Sequence, residues 1–147
     1  YFDEGMPEMP CVYILSSGGP NVDGDRYENR FTVRKDAYAY ISPGAATKIA
    51  EMVYNFSGLK QCFVLEENAY LEYMPEATIP CRHSRYITDT DIEIDPTATL
   101  FYSEIYMGGN ITEKGNCSNT TCYRFVHGPT DPTVRFCSVR NWLPSLS

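Results

Sequence analysis

The stretch Leu59-Lys60-Gln61-Cys62-Phe63-Val64-Leu65-Glu66-Glu67-Asn68-Ala69-Tyr70-Leu71-Glu72-Tyr73-Met74 decides how the chain is read. Two segments rich in branched and aromatic residues flank Glu67-Asn68, a polar pair suited to a turn. Upstream, Ser57-Gly58 is a second turn signal. Before it, Ala50, Met52, Tyr54 and Phe56 alternate with Ile49, Glu51, Val53 and Asn55. Strands joined by such turns predict a three-strand meander. Residues 43–56 also admit one short helix, with Ser42 as its cap, Pro43 in its first turn and a stripe of Ile49, Met52, Val53 and Phe56. The strand reading is preferred because the following segments repeat its length.

Working outward, the same grammar recurs. Val12–Leu15 is a short apolar run closed by Ser16-Ser17-Gly18-Gly19-Pro20, and Phe31 and Val33 alternate with Thr32 and Arg34. Tyr38 and Tyr40 alternate with Ala37, Ala39 and Ile41, and Thr99–Met107 forms a further candidate strand. Cys122–Val126 and Thr133–Trp142 close the set through a hairpin-like connection at His127–Pro132, while 108–121 reads as a surface loop. No internal repeat or low-complexity tract is evident. Many short strands between turn signals predict an all-β, antiparallel, disulfide-stapled sandwich or meander barrel. Residues 1–10, with two Met-Pro pairs, read as an exposed N-terminal arm, and 11–147 as a single β-rich extracellular domain.

The compartment is inferred from cysteine and asparagine. Six cysteines, at Cys11, Cys62, Cys81, Cys117, Cys122 and Cys137, form no CxxC pair and lack the spacing of a zinc site. An even count predicts three disulfides, hence an oxidising compartment and a secreted protein. Four acceptor sequons, at Asn55, Asn110, Asn116 and Asn119, stand against about one expected by chance, which predicts a glycoprotein. The start at Tyr1-Phe2-Asp3-Glu4 reads as the product of signal-peptide removal. No apolar run is long enough to predict a membrane span.

A net charge of −7 argues against nucleic-acid binding, which needs a clustered basic surface. No GxSxG, HExxH or phosphate loop occurs, so no catalytic residue, cofactor or metal is assigned. His83 and His127 are the only histidines, and both fall in expected turns, where surface roles outweigh acid–base catalysis. Asn21-Val22-Asp23-Gly24-Asp25 begins like a calcium loop but places Arg26 where glycine is required, so a turn is expected there. Asp89, Asp91, Glu93 and Asp95 would project from one face of a strand with Ile92 and Ile94 turned inward. These acids and Trp142 are the candidate partner-binding residues, with a solvated, aggregation-resistant edge strand and a core tryptophan as the plainer alternatives.

The expected function is therefore a secreted binding module, not an enzyme, that recognises an extracellular protein or assembly through its surface. A lipocalin-like barrel carrying a small apolar ligand is the alternative, and a secreted hydrolase the third reading.

Overall fold

The computed structural model describes residues 9–107, 121–128 and 136–142, with backbone alone for Thr121 and for 136–142. Eleven strands account for the regular structure: β1 (Cys11–Ile14), β2 (Arg26–Val33), β3 (Tyr38–Pro43), β4 (Thr47–Ile49), β5 (Ser57–Leu65), β6 (Tyr70–Tyr73), β7 (Thr78–Pro80), β8 (Arg85–Ile94), β9 (Thr99–Tyr106), β10 (Thr121–His127) and β11 (Phe136–Trp142). The described residues contain no helix. Residues 43–56 supply the short β4 and then a loop, so neither the helix nor the long strand expected there forms.

All pairings between strands are parallel. One sheet runs β10-β8-β5-β2, and the other runs β1-β3-β6-β9-β7-β4 with β11 also paired to β9. The chain climbs as a solenoid: each coil lays a strand in the first sheet, turns a corner, and lays the next strand in the second. The antiparallel meander is thereby corrected. Glu67-Asn68 does make a turn, but it joins β5 to β6 across a corner between sheets rather than folding them into a hairpin. Likewise β10 pairs with β8 and β11 with β9, so the stretch between β10 and β11 is no hairpin connection.

The corner shows why the chain stacks this way. In three successive coils the same turn hydrogen bond closes: Ala37 N–H donates to Arg34 O at 3.0 Å, Ala69 to Glu66 at 3.0 Å, and Ala98 to Asp95 at 2.9 Å. Asp36 and Asn68 occupy the same left-handed position, with φ of 59° and 56°, where a short polar side chain is tolerated. The small alanine after each turn lets the coils approach, and Ala69 and Ala98 are buried. These turns mark an internal repeat: Val33 aligns with Leu65 and Leu65 with Ile94, separations of 32 and 29 residues. A period of this length is a solenoid signature, so the absence of a repeat is also corrected.

Between the sheets, alternate side chains form the core. Phe63, Leu71, Leu100 and Tyr102 are almost fully buried. Phe31 stacks on Phe63 at 5.1 Å, and Phe63 meets the edges of Tyr73 and Tyr102 at 5.0 and 5.5 Å. Rungs of aromatics at this spacing hold the two sheets in register and add attraction beyond their buried area.

No disulfide joins any two of the described cysteines, and Cys11, Cys62 and Cys122 carry free thiols. Cys117 and the Cys137 side chain lie outside the described residues. Among the described residues, hydrogen-bonded ladders and aromatic rungs hold the sheets together without a bridge at Cys11, Cys62 or Cys122. Among the described residues, no helix is long and apolar enough to cross a membrane.

Candidate functional site

Two features stand out: a half-open, largely apolar cleft that carries a few inward polar groups, and a charged patch on the outside of the solenoid. The cleft, about 530 Å³, lies between the sheets and is lined in part by Gln61, Tyr73, Tyr86, Thr88, Glu104 and Tyr106. Each of these sits at an inward position of its strand, so the polar groups among the mostly apolar lining are a consequence of register. Gln61 Nε2 donates to the Tyr73 hydroxyl at 2.8 Å, and the Tyr102 hydroxyl donates to Glu104 Oε1 at 2.5 Å. Arg124 pairs with Glu104, and both side chains are largely removed from solvent. An ion pair so placed costs desolvation and is retained only with good hydrogen bonding, which Tyr102 supplies. Burial pushes the Tyr102 phenol up to about 12 and raises those of Tyr73 and Tyr106 as well. These groups stay protonated and act as neutral hydrogen-bond partners. Nothing in the cleft is set up as a nucleophile with its base.

The outer patch contains the acids singled out from the sequence. On β8, Tyr86, Thr88, Thr90 and Ile92 are buried, whereas Asp89, Asp91 and Glu93 face outward. That alternation is the one expected of a strand with one wet face. β8 is not an edge, however, since β5 and β10 flank it on either side. His127 on β10 is in register with Asp91, and its Nε2 lies 3.3 Å from Asp89 Oδ1. Lys60 on β5 reaches Asp91 at 3.9 Å. One ligand atom from each of Asp89, Asp91 and His127 falls within 4.8 Å of the others. Asp95 leaves this row: its carboxylate accepts from the backbone N–H of Thr97 at 2.9 Å and from the Thr97 hydroxyl at 2.7 Å, which closes the corner turn.

The remaining sequence candidates are dispersed. His83 sits in the turn before β8 with φ of 56°, whereas His127 aligns with Asp91 far along that strand, so the two histidines are not brought together. Asp23 makes the turn expected in place of a calcium loop, its carboxylate accepting from the backbone N–H groups of Val53, Tyr54 and Asn55 at 3.2, 3.0 and 2.7 Å. Those bonds, that from Tyr54 foremost, lower its pKa below the ordinary carboxylate value. Asn55 is a turn residue too: its side-chain oxygen accepts from Phe56 N–H at 2.9 Å and from Arg26 at 3.2 Å. Asn110, Asn116, Asn119 and the Trp142 side chain lie outside the described residues. Sequence reasoning missed the cleft altogether, because Gln61, Glu104 and Arg124 look like outward polar residues until the strand register is known.

The comparison with known proteins decides the family. The UreD urease accessory protein family matches residues 2–123. The chain belongs to the UreD family. It is 46% identical over 109 residues to urease accessory protein UreD 2 of Brucella ovis, covering 74% of this chain and 36% of that protein. To urease accessory protein UreD of Yersinia enterocolitica it is 47% identical over 109 residues, covering 74% of this chain and 34% of that protein. The chain thus spans about a third of the length of these relatives.

UreD membership overturns the expected function. A secreted module recognising an extracellular partner, a lipocalin-like carrier of an apolar ligand and a secreted hydrolase are each overturned by membership in the UreD urease accessory protein family. The expectation of a secreted glycoprotein falls with it, since a UreD-family chain gives no indication of secretion or glycosylation. The Cys11, Cys62 and Cys122 thiols are unbridged, and Asn55 has a structural use. The extracellular location is corrected on the same ground.

Proposed function

We propose that the chain is a non-catalytic scaffold in urease maturation, acting in the cytosol by binding urease or other urease accessory proteins. The observation that carries this reading is the match to urease accessory proteins at 46–47% identity. The architecture is consistent with it. Stacked parallel coils give a rigid body with broad faces, the shape that suits repeat proteins to binding other proteins. On the outer face of the second sheet, Tyr38 and Tyr70 rings lie 6.4 Å apart, as do Tyr70 and Phe101, and Tyr38 and Phe101 are exposed. Aromatics presented on a flat, rigid face are the residue types that anchor protein interfaces.

The test is urease activation in a cell that lacks its own UreD-family gene. Expression of this sequence within the full-length protein should restore urease activity, and tagged protein should co-purify with urease or another accessory protein. The double variant Tyr38→Arg/Phe101→Arg should fold yet lose that co-purification. Restored secretion-dependent activity, or no rescue by a soluble and folded protein, would overturn the reading.

A further inference from the structure

We propose that Glu72, with Tyr40, Tyr70 and Phe101 around it, is the seat for an arginine side chain of a protein partner, an inference that deepens the protein-binding reading above and rests on it. The seat follows from register. In the second sheet Ala39 and Ile41, Leu71 and Tyr73, and Leu100 and Tyr102 pack into the core, so the residues between them, Tyr40, Glu72 and Phe101, face outward. Glu72 stands opposite Tyr40 on β3 and opposite Phe101 on β9. Neighbouring strands run about 4.8 Å apart, so an aromatic side chain flanks the carboxylate on either side. Tyr70, two residues earlier on the same face, donates its hydroxyl to Glu72 Oε1 at 2.5 Å. The Tyr70 ring lies 6.4 Å from those of Tyr38 and Phe101, which extends the aromatic surface around the acid.

The charge balance of the face identifies the occupant. β1, β3, β6 and β9 contain no lysine or arginine, so none of these four strands offers Glu72 a cation. Other acids do find one: Glu66 pairs with Arg34, Glu67 with Lys35 and Glu104 with Arg124. Half-buried Glu72 makes no ion pair among the described residues, and only its Oε1 accepts a hydrogen bond from them. Burial, and next the Glu72 carboxylate, push the Tyr70 phenol up to about 12, so at neutral pH the phenol is a neutral donor to an ionised acceptor. A partner's arginine meets these conditions together. Its planar guanidinium donates to the open Oε2 edge while its flat faces lie on the neighbouring rings, and it is more weakly hydrated than an ammonium group. A lysine ammonium supplies the charge without the plane. The rings also shelter the pair from water, which strengthens the attraction.

The test uses the intact chain with N-acetyl-arginine amide as the probe and the lysine and norleucine analogues as controls, followed by amide NMR. Saturable shifts should centre on Tyr40, Glu72 and Phe101, with arginine bound more tightly than lysine and norleucine giving no shift. Glu72→Gln keeps the size of the side chain and an acceptor for Tyr70 but removes the charge, and should weaken arginine binding roughly tenfold. Raised salt should weaken binding to the unmodified chain and leave that to Glu72→Gln unchanged. Tyr40→Leu should weaken binding several-fold, and Phe101→Leu serves in the same way if Glu72→Gln fails to fold. Shifts centred on Asp89 and Asp91, undiminished binding in a folded Glu72→Gln protein, equal binding of norleucine, or no saturable shift would each overturn the seat. The co-purification experiment reports separately. Capture of a urease component that Glu72→Gln leaves intact would sink the seat alone, whereas absence of capture beside intact arginine binding would sink the urease reading and leave the arginine seat standing.

Discussion

Tyr73 and Tyr102 stack one above the other, ring centroids 5.7 Å apart and planes within 12° of parallel. They come from β6 and β9, adjacent strands of one sheet, and each hydroxyl is hydrogen-bonded, Tyr73 to Gln61 and Tyr102 to Glu104. The geometry ties packing to protonation: the rings hold the coils in register only while both phenols are neutral.

Alkaline instability follows. Burial raises the Tyr102 phenol to about 12 and the Tyr73 phenol upward. A group whose folded value lies above its unfolded one contributes stability below about pH 10, the unfolded value, and loses it as pH rises through the folded value. Urea midpoints should therefore be flat up to about pH 10 and fall between about pH 10 and 12. Tyrosinate absorbance should develop cooperatively with unfolding. Early, non-cooperative titration of all twelve tyrosines would contradict the buried stack.

Acid should act from the other direction at Asp23. Its pKa is depressed from 3.8, first by the Tyr54 N–H bond. A depressed carboxylate contributes stability above its unfolded value, and that contribution disappears as pH falls below about 4 through the folded value. Glu66, through the Lys35 N–H and Arg34, and Asp95, through Thr97, act in the same sense. Asp23→Ala should make the loss of stability below pH 4 shallower, with the change localised by hydrogen exchange to residues 53–55.

Phe63→Ala should be severely destabilising. The ring is fully buried and touches Phe31, Tyr73 and Tyr102. Removing a core aromatic of this kind costs about 3–5 kcal/mol. The urea midpoint should drop with little change in slope. A cost under about 1 kcal/mol would mean that the rungs are not the core.

The left-handed corner position makes a finer test. Asn68, at φ 56°, donates from its side-chain nitrogen to Asp36 Oδ1 at 3.0 Å in the coil beside it. Asn68→Val should cost roughly 1–3 kcal/mol, because a β-branched residue is strained there. Asn68→Gly keeps the backbone freedom and loses only the bond, so it should cost about 1 kcal/mol or less. Equal costs for the two would show that the turn is not what matters.

Thiol labelling separates the observed structure from a disulfide-stapled one. Cys122 is exposed and Cys62 is only 4% exposed, and both are unbridged. A maleimide should modify Cys122 in the native protein and Cys62 only after unfolding, as mapped by peptide mass spectrometry. Protection of both until a reductant is added would restore the sulfur bridges.

What the sequence determined by itself is the all-β character and the inside–outside alternation of individual strands. Phe31 and Val33 face in, as do Ile92 and Ile94, while Asp89, Asp91 and Glu93 face out. A period of two is a local property, so short windows reveal it. Which strand pairs with which is decided over about thirty residues, and both parallel and antiparallel sheets with one wet face show the same alternation. Glu67-Asn68 was legible as a turn but not as a corner between sheets, because only the stacked neighbours Asp36 and Thr97 fix its direction. The recurrence of a polar turn followed by alanine at Ala37, Ala69 and Ala98 was present in the sequence as a faint repeat signal. Only the tertiary structure brought His127 to Asp89 and Asp91 and turned Glu104 and Arg124 inward, since those contacts join residues separated by 20 or more positions through register rather than through any local pattern.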